Sequence, residues 1–329
     1  MTERPLSISQ IYAKGKENLK KVEVKRWFPP DSNTDTSAQT NRKYLDSLFF
    51  VTKFLDPVEV DISFTIFSVK LKTPVFCSPI SRHNFMPDTE LTEIARGVSD
   101  AGALMMLGIG GSKELQSAID TGAPVVKMVK PYRRTELIYE KVRDAESRGC
   151  VAVGMDIDHF YGLLVGDKVE KTELFGPQNT DELKQLISQT KLPFIIKGVL
   201  SVSDAEKAVE LGASAIVVSN HGRGAIDFTV PSMIALPRIV DSVDDKLTVL
   251  VDTGFKTGND VLKALAFGAK AVGFASSMLL AFVADGSAGV ERLINLITAE
   301  LQRTMAATGC PNLAAIKRSI ISQASPLGE

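Results

Sequence analysis

The 329-residue chain is longer than the ~250 residues of a typical (β/α) barrel, which allows one large domain with extensions or two small ones. A content of 44% hydrophobic and 23% charged residues belongs to a globular protein, and a formal charge of -1 gives no electrostatic reason to expect nucleic acid or anionic lipid as a partner. No apolar run approaches the ~20 residues of a membrane span, and the opening "MTERP" is no signal peptide, so a soluble cytoplasmic protein is expected.

Residues 1–72 hold a helical segment near 6–22 and a polar Asn/Thr/Ser stretch at 32–41. They end in "VEVDISFTIFSVKLKTP", which alternates as a hairpin does and could plug the bottom of a barrel. From residue 73 short apolar runs alternate with helical patterns: "PVFCSP", "ALMMLG", "PVVKMV", "VAVGMD", "PFIIKG", "AIVVSN", "TVLVDTG" and "AVGFAS". Runs apolar at every position suit strands buried on both faces, and strict alternation with helices implies a parallel sheet. Eight such units predict a (β/α)8 TIM barrel over 73–329, with a doubly wound open sheet as the weaker alternative. The absence of GxGxxG after the first run counts against a dinucleotide-binding sheet. A C-terminal helix, "GVERLINLITAELQRTMAATG", follows the eighth run and stops at a glycine just before Pro311. No linker marks a second domain. Cys77, Cys150 and Cys310 are far apart, without CxxC spacing, so no metal is expected.

In such a barrel chemistry sits at the C-terminal ends of the strands. Those ends carry Ser78 and Pro79, Gly108, Lys127, Asp156, Lys197, Ser219–His221, Asp252–Gly254 and Ala275–Ser276. Taken alone, Lys197 reads most simply as a snorkelling rim lysine, and His221 reads equally well as structural or catalytic. Together, Asp156, Lys197 and His221 place a carboxylate, an ammonium and an imidazole on three successive strand ends, which points to function. In "VDTGFKTGNDVLKALAFGAK" a strand ends on Asp-Thr-Gly and a helix opens near Thr257-Gly258-Asn259. The helix N-terminus offers amide groups to a phosphate, at the strand-seven and strand-eight loops where barrels commonly bind one.

These motifs resemble the FMN-dependent α-hydroxy-acid oxidases and dehydrogenases, most specifically in "IIKGVLSVSDAEKAVELGASAIVVSNHG" and "VDTGFKTGNDVLKALAFGAKAV". The resemblance implies FMN at the barrel mouth, a small-molecule substrate, dioxygen or another electron acceptor, and a homotetramer. It implies that His221 takes a proton from the substrate as a hydride equivalent passes to the flavin, and that Asp156 pairs with the imidazolium. Lys197 would lie by the flavin N1–O2 edge. Pro79 with its neighbours Ser78 and Ile80 would run along the flavin, with Gly108, Lys127 and Ser219 nearby. Asp252, Gly254, Lys256, Ala275 and Ser276 would form the phosphate end, with Lys256 and Ser276 standing where the family has arginines.

The substrate clamp departs from the family. The family reads His-Gly-x-Arg, whereas this chain reads His221-Gly222-Arg223-Gly224, so Arg223 comes one place early and Gly224 holds the arginine position. The family's two tyrosines align with Ile11 and Val129, and the segment after Asp156 is shorter, which makes His159 and Tyr161 candidate substrate contacts. The expected substrate is therefore not an ordinary small 2-hydroxy acid, but a carbon bearing a hydroxyl or amine next to an activating carbonyl. Two alternatives stay open: a flavin-dependent isomerase resembling the type 2 isopentenyl-diphosphate isomerases, and a flavin-binding protein without catalysis.

Overall fold

The computed structural model describes residues 6–21, 34–83, 86–165, 168–222 and 225–323. Two helices come first, α1 (Ile8–Lys21) and α2 (Thr36–Asp46). A closed parallel barrel follows, built from β1 (Val75–Ile80), β2 (Leu104–Leu107), β3 (Val125–Val129) and β4 (Ala152–Asp156). It continues through β5 (Phe194–Val199), β6 (Ala215–Val218), β7 (Thr248–Asp252) and β8 (Ala271–Phe274), with β8 paired back onto β1. The helices between them are α3 (Glu90–Asp100), α4 (Ser112–Ile119), α5 (Thr135–Ser147), α6 (Thr180–Gln189), α7 (Val202–Glu210), α8 (Ser232–Val243) and α9 (Gly258–Ala266). The last helical stretch, α10 (Ser276–Ala307), is two helices meeting at a kink, where Asp285 and Gly286 leave the helical conformation.

Each barrel strand divides its side chains between two cores. Val125, Val129, Val153 and Ile196 face the helical layer, while Val126, Met128, Ala152 and Ile195 fill the barrel interior. The interior core also takes Ile66 and Leu71 from the antiparallel pair Phe64–Ile66 and Val69–Leu71, which plugs the barrel as the alternating sequence suggests. Helix spacing matches this arrangement: α3 buries Leu91, Ile94, Ala95 and Val98, one face of a 3.6-residue repeat. No helix among the described residues is long and apolar enough to cross a membrane.

The segment before the barrel is tied to the C-terminal loops of the strands. Asp227, beyond β6, accepts the backbone N–H groups of Thr36 and Ser37 and so holds the first turn of α2. Arg42 on α2 forms a two-pronged bridge to Asp260 on α9, at 2.8 and 2.9 Å, and also donates to the Gly254 carbonyl. The loop after β7 is thus braced from a helix 218 residues away in the chain.

Candidate active site

Strand parity sets the mouth of the barrel. The positions that continue the interior face at its C-terminal end are Ser78, Lys130, Asp156, Lys197, Ser219 and Asp252, and all are buried. Asp156 and Lys197 are direct neighbours across β4 and β5, so their side chains leave the sheet side by side. Lys197 Nζ lies 3.1 Å from Ser219 Oγ and 3.5 Å from both Asp156 and Asp252. Asp252 in turn accepts from Ser78 Oγ and Thr253 Oγ1, each at 2.9 Å.

His221 follows β6 with φ 48°, a left-handed conformation that costs a non-glycine residue ~1–3 kcal/mol unless its surroundings impose it. They do so here. Its backbone N–H donates to Ser219 Oγ, its Nδ1 meets Asp158, and its Nε2 is 2.7 Å from Lys197 Nζ. That last contact is a hydrogen bond only for a neutral ring, with Nδ1–H given to Asp158 and Nε2 accepting. Once protonated, the ring would face Lys197 donor to donor, so taking a proton must break this contact.

The charges reinforce one another. Burial alone would push the His221 imidazole down, but Asp158 and Asp156 outweigh burial and Lys197 to hold it above its usual value. Burial would likewise raise the carboxylates, yet Lys130, Lys197 and His221 hold Asp156 well below its usual range, and His221 and its neighbours bring Asp158 to about 2. Lys197 stays a cation because Asp252, Asp156 and Asp158 overcome its desolvation.

Several sequence expectations are corrected. Asp156 does stand beside His221, 3.5 Å from Nε2, but it is also bonded to Lys130 at 2.8 Å, and a second carboxylate, Asp158, approaches the ring more closely at Nδ1. Lys127 and Val129 point into the helical layer, because the interior phase of β3 falls on Val126, Met128 and then Lys130. Lys127 is spent on the Gly108 and Gly110 carbonyls beside α4 and α5, where burial first, then Lys141, lowers it to about 8. The Ile80 side chain also joins the helical layer, although its carbonyl takes the Gly108 N–H at 2.8 Å. Ile11 is packed in the apolar layer rather than at the mouth, and Tyr161 is 70% exposed and stacks on Phe160. His159, by contrast, is drawn in beside His221. Pro79 is half-buried at the rim, and Arg223 and Gly224 lie outside the described residues.

Sequence reasoning missed Asp158, Lys130 and Arg42. The structure accounts for the approach of Asp158: Gly198 has φ 100°, and a Cβ there would sit 2.6 Å from Asp158 Cγ. The Lys197-Gly198 strand end is therefore shaped to admit that carboxylate.

Beside His221 opens a cleft of about 220 Å³ whose lining includes Ser78, Asp252, Gly254, Ala275, Ser276 and Ser277. At one end the first turn of α10 presents the Ser276 and Ser277 amides, which bond to no acceptor among the described residues. Exposed Lys256 stands on the adjoining loop. Gly273 keeps the floor clear, since a Cβ there would come within 2.1 Å of Ser78 Oγ. The Lys197 ammonium behind Asp252 and His221, and the helix-end amides at the rim, suit an anionic cofactor with a phosphate tail.

Residues 16–163 and 164–323 match the model of a family described as FMN-dependent dehydrogenase. The chain is 30% identical to glycolate oxidase 3 of Arabidopsis thaliana, over 93% of each chain. It is also 30% identical to 4-hydroxymandelate oxidase of Amycolatopsis orientalis, over 87% of this chain and 90% of that one. A crystal structure of mandelate oxidase superposes with a TM-score of 0.88 at 27% identity, covering 98% of this chain and 99% of that one. An arginine-to-leucine variant of mandelate oxidase with 2-hydroxy-phenylacetamide also gives 0.88 at 27%, covering 99% and 100%.

Proposed function

The chain belongs to the FMN-dependent dehydrogenase family, and we propose that within it this oxidoreductase acts on an α-hydroxy carbonyl compound without a free carboxylate, such as an α-hydroxy amide, ester or ketone. Its cofactor is FMN. The cleft would hold it between Ser78, Asp252 and His221, with Lys197 behind them on Asp252 and His221, and with Ser276, Ser277 and the neighbouring Lys256 around the phosphate. Bound there, FMN supplies the acceptor for the hydride equivalent that leaves the substrate carbon.

His221 takes the proton. Asp158 on Nδ1 and Asp156 beside Nε2 make the ring a stronger base than free imidazole and then stabilise the imidazolium. Lys197, released from Nε2 as the ring is protonated, remains paired with Asp252 and Asp156 and keeps positive charge beneath the cleft. The relatives carry names of oxidases, which supports dioxygen as the final acceptor and favours oxidation over isomerisation.

One observation carries the substrate class. Three carboxylates, Asp156, Asp158 and Asp252, already face two ammoniums, Lys130 and Lys197, and no guanidinium among the described residues joins them. A substrate carboxylate would be a fourth anion without a charged partner, whereas a neutral carbonyl avoids that desolvation cost. The amide seen with the arginine-lacking mandelate oxidase variant is a suitable probe. Under anaerobic conditions 2-hydroxy-phenylacetamide should bleach the flavin at least ~10-fold faster than mandelic acid, a loss of about one charge-assisted hydrogen bond for the acid. Faster bleaching by mandelic acid refutes the assignment.

A further inference from the structure

His159 is the buried group at the mouth to which proton and hydride removal give no task. It closes the short turn Ile157–His159 after β4, is 5% exposed, and lies edge-on to His221 with ring centroids 4.3 Å apart. One of its ring nitrogens comes within 4.8 Å of a ring nitrogen of His221 and of an Asp156 carboxylate oxygen. Such a trio could bracket a metal ion, but Lys130 sits on Asp156 Oδ2 and His159 Nδ1 and Lys197 on His221 Nε2, and the two ammoniums would repel a cation.

Lys130 instead decides what His159 can do. Its Nζ is 2.8 Å from Asp156 Oδ2 and 2.9 Å from His159 Nδ1. An ammonium only donates, so this bond places the lone pair on Nδ1 and the ring proton on Nε2; the other group facing Nδ1, the Asp158 Oδ1 oxygen, is farther away at 3.5 Å. Burial, then Lys130 and His221, push the imidazole well below its usual range, so the ring stays neutral. Among the described residues nothing accepts the Nε2–H.

We propose that His159, held in the Nε2–H form by Lys130, donates a hydrogen bond to the carbonyl oxygen of the substrate and thereby selects neutral α-hydroxy carbonyl compounds. The inference deepens the substrate reading above and rests on it. A neutral N–H suits an amide or ketone oxygen; it brings no charge to offset the desolvation of a carboxylate. Lys130 is then a positioning residue. Its charge is taken up by Asp156, and its remaining effect is to fix which nitrogen of His159 bears hydrogen.

The test is equilibrium binding of 2-oxo-phenylacetamide, which has no hydride to give, to the FMN-loaded protein, followed by the flavin absorbance. His159→Gln keeps an N–H near the Nε2 position, whereas His159→Asn moves the amide toward Nδ1. We expect the dissociation constant to rise roughly tenfold in His159→Asn and in Lys130→Met, the scale of one hydrogen bond, and to stay within about threefold in His159→Gln. Lys130→Met should cost little further in the His159→Gln background, because an amide has no tautomer to fix. Flavin content and thermal unfolding of each variant separate misfolding from lost recognition. Equal binding by His159→Gln and His159→Asn overturns the proposal, as does failure of the unmodified protein to bind the ketone. The substrate reading falls separately, if 2-hydroxy-phenylacetamide leaves the flavin oxidised.

Discussion

At the scale of the residue, His221 works against its burial. Two carboxylates raise the imidazole above its ordinary value, and only the neutral ring can take a proton. Substrate-dependent flavin reduction should therefore rise with pH through an inflection above the usual histidine value near 6.5. Asp158→Asn removes a raising neighbour, so the inflection should move down; stopped-flow rates across pH read it directly, and an unmoved inflection rules out Asp158 as the partner. His221→Ala should cost roughly 10²–10⁴-fold in the same assay, the usual range for a general base. Stability runs with opposite signs for the two kinds of group. The raised histidine stabilises the fold fully below its unfolded value, and that contribution disappears as pH climbs through the raised one. Asp158 contributes above the ordinary carboxylate range near 4, and its contribution is lost as pH falls through about 2.

At the scale of the element, the strand ends are shaped for one another. Gly198 closes β5 with φ 100° and leaves no Cβ where Asp158 leans over it. Gly198→Ala combines an unfavourable backbone conformation with a contact 2.6 Å from Asp158 Cγ, which must shift the carboxylate away from His221. This variant should lose ~1–3 kcal/mol of stability and reproduce the lowered inflection of Asp158→Asn. A melting temperature and pH profile equal to those of the unmodified protein would show that the close approach does not govern the base.

At the scale of the molecule, the part of the chain before the barrel braces the loop after β7, at the end of the cleft proposed for the phosphate of the cofactor. Arg42 grips Asp260, which is 3% exposed and also accepts the Lys256 and Thr257 amides. Arg42→Met leaves that carboxylate buried without its cation, a change worth about 3–5 kcal/mol in comparable pairs, somewhat less here because Arg42 is partly exposed. The loop after β7 should loosen, so the variant should retain less FMN after dialysis and unfold at lower temperature. Excess FMN should recover part of that temperature, since a ligand bound only by the folded state stabilises it by mass action.

The sequence alone was enough for the eightfold repeat and for the Lys-Gly, Ser-Asn-His-Gly and Asp-Thr-Gly strand ends. Those features are local: a strand buried on both faces must be apolar throughout, and a motif declares itself by spacing. Which side of a strand faces the mouth is not local. A run such as "PVVKMV" is apolar on both faces and carries no polar alternation to mark its phase, so Lys127 and Val129 read as mouth residues, while barrel closure turns Lys130 inward instead. Asp158 and Arg42 needed the tertiary structure for the same reason. One meets His221 across 63 positions and the other meets Asp260 across 218, and pairings of that range are set by how the barrel closes and how the preceding helices dock on it.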